Sequence, residues 1–135
     1  PHASRIHSQV KSYTNINLNL TLPSLASLIQ QADLAIGAGG ATSWERCCLG
    51  LPSLVITLAD NQKPIALELH DRCLVRWLGH YDEVEDEVFS TALRTAVEDQ
   101  SLESWSQACM SVIDGAGIKR VLDNIIDCHA LKRTQ

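Results

Sequence analysis

The spacing of apolar positions along the chain changes period several times. After Pro1, Ile6 and Val10 stand four apart, a helical rhythm. From 15 to 20 the stretch "NINLNL" sets Ile16, Leu18 and Leu20 against asparagines, the period of a strand with one face more exposed than the other. In "LPSLASLIQQA" the residues Leu25, Leu28 and Ile29 share one helical face, which predicts a short amphipathic helix begun by Pro23 or Ser24. "DLAIG" is short, apolar and bounded by glycine, and predicts a buried strand. Residues 42–49 read as helix, and Gly50, Leu51 and Pro52 stop it before a second buried strand, "SLVITLA", at 53–59. Helical spacing returns from Gln62 to about His70 through Ile65, Ala66 and Leu69. "CLVRWLG" at 73–79 predicts a strand, the acid-rich 81–99 a helix through Val84, Val88, Leu93 and Val97, and 101–113 and 117–127 two more helices.

Short apolar strands alternating with helices predict an α/β fold, a Rossmann-like parallel sheet sandwiched by helices. One domain over residues 1–127 and a polar tail over 128–135 are expected. About four strands is few for such a sheet, and the chain opens on Pro1 rather than an initiator methionine. The expectation is therefore a domain truncated at its N-terminus, with strands preceding Pro1.

Composition narrows the functions. Hydrophobic residues make up 45% of the 135-residue chain, enough for an ordered core. The net charge of -5 and the scattered basic residues argue against nucleic acid as a partner. No apolar run reaches the about 18 residues of a membrane span, and "PHASRIHSQVKS" lacks the apolar centre of a signal peptide, so a cytoplasmic protein is expected. The cysteines, at 47, 48, 73, 109 and 128, show no CxxC spacing. Cys47 and Cys48 suit small buried hydrophobes in a reducing compartment. The histidines form no ligand-spaced cluster with them, and neither metal nor cofactor is expected.

Candidate chemistry gathers where ligands meet α/β sheets, at the carboxyl ends of strands. The "GAGGATS" loop, Gly37 to Ser43, offers backbone N–H groups at the start of a helix, which suits either an anion or a tight turn. It matches neither the Walker A pattern nor GxGxxG. Glu45, three residues after Thr42, fits both a capping box and an acceptor for a ribose diol. In "ADNQKP", Asn61 is placed to cap a helix with Pro64 in its first turn, while Gln62 has no capping role and suits a phosphate or sugar contact. His80 and the acids from Asp82 to Glu87 read as a surface loop and a solvated helix start.

The run "ADLAIGAGGATSWERCCLGLPSLVITLADNQ", with "PH" at the start and "DGAGIKRVLDNI" near the end, resembles the carboxyl-terminal domain of the UDP-sugar hydrolases of pseudaminic acid biosynthesis (PseG/SpsG-like), relatives of the MurG-type glycosyltransferases of the GT-B class. The resemblance implies the C-terminal half of a two-domain fold that grips UDP or a UDP-sugar, its amino-terminal domain, with the catalytic histidine, being absent. It implies a pyrophosphate cradle at Gly39, Gly40, Ala41, Thr42 and Ser43, a ribose acceptor at Glu45, and cleft contacts at Asn61 and Gln62. No residue here takes a catalytic role under it. A glycosyltransferase domain and a non-catalytic regulatory domain with the same nucleotide half-site stand as alternatives.

Overall fold

The structure, a computed structural model, describes residues 2–132, with side chains over 3–126. Its elements run α1 (His2–Val10), α2 (Ala26–Ile29), β1 (Ala35–Ala38), α3 (Thr42–Cys48), β2 (Ser53–Thr57), a 3-10 turn (Asp60–Gln62), α4 (Lys63–Asp71), β3 (Arg76–His80), α5 (Asp86–Glu98), α6 (Leu102–Val112) and α7 (Gly117–Lys132). The strands form one parallel sheet in the order β1-β2-β3, with helices flanking it. This is the Rossmann-like α/β arrangement that the alternation of periods predicts. Ala35 stands opposite Ser53, and Leu54 opposite Arg76. No helix among the described residues is long and apolar enough to cross a membrane.

The described sheet has three strands where about four are expected. "NINLNL" pairs with nothing: Ile16 and Leu20 are exposed and Leu18 is half-buried. Alternation alone does not make a strand, because the stabilising unit is the cross-strand pair. β1 is at the edge of the sheet rather than inside it, and its Ile36 is 49% exposed. α2 is one turn long and buries Ile29 alone, leaving Leu25 and Leu28 exposed. The run at 73–79 becomes strand only from Arg76. Before it, the N–H groups of Leu74 and Val75 both donate to the Leu69 carbonyl, and Cys73 takes a φ of 58°, so the apolar start of that run closes the end of α4.

The core lies where β2 and the start of β3 meet α3, α4 and α6. Cys47, Val55, Ala66, Leu69, Leu74, Val75 and Cys109 are buried together, with Trp77 and Trp105 packed against them. α6 is fastened at one oxygen: Trp105 Nε1 donates to the Leu74 carbonyl at 2.9 Å and Cys109 Sγ at 3.1 Å. Cys47 is buried as expected, Cys48 only partly, and Cys73 is exposed. Hydrogen bonding to the neighbouring Cys47 thiol, and then burial, push the Cys109 thiol far above its ordinary range. The side chain of Cys128 lies outside those described.

Arg46 on α3 is 6% exposed and, among the described residues, has no carboxylate partner. Its Nε donates to Ser53 Oγ at 3.1 Å, and its Nη2 donates to the Ala38 carbonyl at 3.1 Å and to Ser43 Oγ at 3.0 Å. One planar fork thus joins the end of β1, the first turn of α3 and the start of β2. Desolvation pushes its pKa down, against the raising influence of Cys47 and Glu45.

Arg46→Lys should lower the unfolding free energy by roughly 2–4 kcal/mol, because an ammonium reaches fewer of the acceptors the fork serves and keeps its desolvation cost. Arg46→Met should cost less, since Ser53 Oγ still donates to the Leu51 carbonyl and Ser43 Oγ to the Ala38 carbonyl. Urea unfolding followed by circular dichroism checks both. A lysine variant as stable as the parent would mean that the fork holds nothing together.

Candidate functional site

The carboxyl ends of β1, β2 and β3 form one rim. Chain leaves β1 at Ala38 and turns through Gly39, Gly40 and Ala41 into α3. Neither Gly39 nor Gly40 has a positive φ, so the turn does not use the dihedrals that only glycine adopts. Their demands are spatial and differ. A Cβ on Gly39 would stand 2.9 Å from Thr57 Cγ2, 3.3 Å from Val55 Cγ1 and 3.4 Å from Ala66 Cβ, so Gly39 is bare because β2 and α4 press against it. A Cβ on Gly40 would meet only Gln62 Nε2, at 3.8 Å.

The N–H of Gly39 donates to the Ile56 carbonyl at 3.2 Å, and those of Ser43 and Trp44 donate back to the Gly40 and Ala41 carbonyls at 2.9 and 3.0 Å. Among the described residues, the N–H groups of Gly40, Ala41 and Thr42 have no hydrogen-bond partner. The Ser43 hydroxyl is buried and engaged with Arg46 and the Ala38 carbonyl, so its side chain faces inward.

The capping box expected of Thr42 and Glu45 does not form. The N-cap is Ala41, with helical dihedrals and no side-chain cap bond. The tight turn enters the helix one residue early, which places Thr42 inside it and carries Glu45 past the capping position. Glu45 lines a groove of about 610 Å³ instead, walled by Pro23, Leu25, Ile29, Trp44, Cys48 and Ile113. That groove is apolar on most sides and has one carboxylate.

On the next loop, the 3-10 turn displaces the expected cap by one residue as well. The N-cap of α4 is Gln62 rather than Asn61, again without a side-chain cap, while Pro64 sits in the first turn as expected. Gln62 Oε1 accepts the Leu58 N–H at 2.9 Å. The amide oxygen is thereby fixed, and its NH2 group is the end turned to Gly40. Asn61 is exposed beside it. The structure therefore brings Gly39, Gly40 and Gln62 together, and places Glu45 in the adjoining groove about one helical turn along α3.

His80 departs from the surface-loop reading. It ends β3 with its side chain only 12% exposed, and its Nδ1 lies 2.7 Å from the Thr57 carbonyl. A glycine inside an apolar strand pattern, here Gly79, was the signal for an irregularity at that point. Among the described residues, no group of three or more histidine, cysteine, aspartate or glutamate side chains is arranged to hold a metal ion.

Residues 2–119 match a family model described as the glycosyltransferase family 28 C-terminal domain. Over 130 residues the chain is 28% identical to the spore coat polysaccharide biosynthesis protein SpsG of Bacillus subtilis (strain 168). The aligned region is 96% of this chain and 38% of that protein, so the chain spans less than half the length of the curated relative it matches.

The two glycines should separate in stability measurements. Gly39→Ala is expected to cost roughly 1–3 kcal/mol by overpacking, and Gly40→Ala less than about 0.5 kcal/mol. Thermal unfolding of both variants checks this. Equal losses would contradict the spatial division.

Proposed function

We propose that this chain, which belongs to the glycosyltransferase family 28 C-terminal domain family, is the nucleotide-binding half of a two-domain GT-B-type enzyme acting on a UDP-linked sugar. The observation that carries the reading is the turn itself. Three successive N–H groups, Gly40 to Thr42, are free of partners, and the Gln62 amide nitrogen faces them. Neutral donors gathered at one turn are what a diphosphate requires when no lysine is supplied. Gly39, Ala41 and Ser43 belong to this cradle through their backbone. Glu45 accepts the ribose hydroxyls, and the apolar walls of its groove hold the base. Asn61 with Gln62 borders the phosphate and sugar.

The reaction we assign to the whole enzyme is hydrolysis. Water, deprotonated by a base, attacks the sugar carbon; the carbon–oxygen bond to phosphate breaks, and UDP leaves with the electron pair. The part of these residues is to hold UDP in place and to stabilise the charge that grows on its phosphate. The base is assigned to an amino-terminal domain. The open edge of β1 and the apolar face of α7, where Ile118, Val121, Leu122, Ile125 and Ile126 are all more than half exposed, are read as surfaces which that domain covers. The family's description favours a second reading, transfer of the sugar to an acceptor, which uses the same half-site.

Isotope-labelled NMR titration with UDP should move the amides of Gly39, Gly40, Thr42, Glu45 and Gln62 together. Shifts elsewhere on the sheet would remove the site assignment. Glu45→Gln should weaken UDP and uridine alike, by roughly 1–2 kcal/mol, whereas Gly40→Ala should weaken UDP and spare uridine. A glycine variant that weakens both equally would refute the division between ribose and phosphate.

Alone, the chain should release no UDP from a UDP-sugar at a saturable rate, because no group is held at the bond to be broken. Saturable release by the pure chain would refute the placement of the base.

A further inference from the structure

β3 reaches the rim through a bulge. Val55 stands opposite Trp77, but Ile56 stands opposite Gly79, so Leu78 is an extra residue. Gly79 has a φ of 132°, which side chains rarely permit, and a Cβ there would come within 3.2 Å of Val84 Cγ2. Thr57 Oγ1 locks the distortion, donating to the Gly79 carbonyl at 3.2 Å and accepting from Trp77 Nε1 at 3.3 Å. The bulge brings His80 opposite Thr57; without it the residue opposite would be Leu58.

Once there, the imidazole is held in one state. Nδ1 meets two groups, the Thr57 carbonyl at 2.7 Å and the Tyr81 N–H at 3.0 Å; that N–H already donates to the same carbonyl at 2.9 Å, and a carbonyl only accepts, so the shorter contact puts the proton on Nδ1. The backbone of His80 is tied as well, its N–H to Glu83 Oε2 and its carbonyl to the N–H groups of Glu83 and Val84. Among the described residues, Nε2 is left as an acceptor without a hydrogen bond. It lies 4.0 Å from Asp60 Oδ1, too far for a direct bond. Two acceptors thus stand side by side on the rim. The charges around the ring are Asp60 from the 3-10 turn, Asp82 with Oδ1 3.9 Å from Nδ1, Glu83, and Lys63, whose Nζ is 3.4 Å from Asp60. Three carboxylates against one ammonium disfavour an anion and suit a ligand rich in hydroxyls.

Position gives the same answer. The strand order is β1-β2-β3, and neighbouring strands are about 4.8 Å apart. His80 is therefore two strands from the Gly39–Gly40 turn, roughly 10 Å, with Gln62 between. On the nucleotide reading above, on which this inference rests, a ligand with its ribose at Glu45 and its phosphates at the turn extends its sugar toward β3.

We propose that His80 Nε2 and the Asp60 carboxylate are a paired acceptor for two neighbouring donors, a vicinal diol or a hydroxyl beside an N–H, on the sugar of the nucleotide-sugar.

The test is calorimetric titration of the chain with UDP and with UDP-N-acetylglucosamine at pH 8. At pH 8 the sugar nucleotide should bind about fivefold tighter than UDP. His80→Asn, whose amide still reaches the Thr57 carbonyl but lacks an atom at the Nε2 position, should reduce that preference to less than about twofold and leave UDP affinity unchanged. Should that variant fail to fold by circular dichroism, Asp60→Asn, at a side chain 90% exposed, asks the same question away from β3. A preference that survives either folded variant overturns the proposal. UDP binding without any sugar preference overturns it alone; failure to bind UDP removes the nucleotide reading and this inference with it.

Discussion

The interaction on which the rest depends is the fork of Arg46. It is the one charged side chain buried among the described residues, and it is solvated by two hydroxyls and a carbonyl rather than by a carboxylate. Those acceptors belong to three successive elements, so the guanidinium fixes how β1 ends, how α3 begins and how β2 starts. Gly37 belongs to the same arrangement: a Cβ there would lie 2.7 Å from Nη1, so the residue is bare to admit the arginine. The glycines of "GAGG" therefore have three separate reasons. Gly37 makes room for the cation, Gly39 for the packing of β2 and α4, and Gly40 faces outward.

Legibility in the sequence followed the strength of the tertiary contact behind each pattern. β2, α3, α4 and α6 coincide with their periodicities because each places residues in the core, and burial is what the periodicity encodes; α5, expected over 81–99, starts only at Asp86 and buries Ala96 while Val88 and Val97 stay exposed. "NINLNL" has the alternation of a strand without a neighbour to pair with, and alternation does not say whether a neighbour exists. The half-buried rim was harder still. Thr42 with Glu45, and Asn61 with Pro64, spell helix starts, yet both helices begin one residue away from the expected cap because the turns before them are tighter than spacing can tell. His80 sits in a stretch whose acids suggest solvent, and what draws it inward is one extra residue in a ladder.

The charges of the rim accord with the chain's overall acidity. Its donors toward the turn are peptide N–H groups and a primary amide, which are neutral. A site of that kind recognises an anion by converging dipoles, and it leaves the surface free to stay acidic. The proposed binding of a diphosphate is thus compatible with a net charge of -5, and it relies on shape rather than on long-range attraction.

Strand order in this sheet repeats chain order, and each rim loop follows its own strand. On the proposed reading, the residues that meet the phosphates and ribose, Gly39 to Glu45, follow β1, and those that meet the sugar, Asp60 and His80, follow β2 and end β3. Substitutions at Asp60 and His80 then alter what is accepted at the sugar end without disturbing the segment that fixes the phosphates and ribose. Such a layout separates the positions that would choose the sugar from those that would hold its carrier, so that one set can change without moving the other.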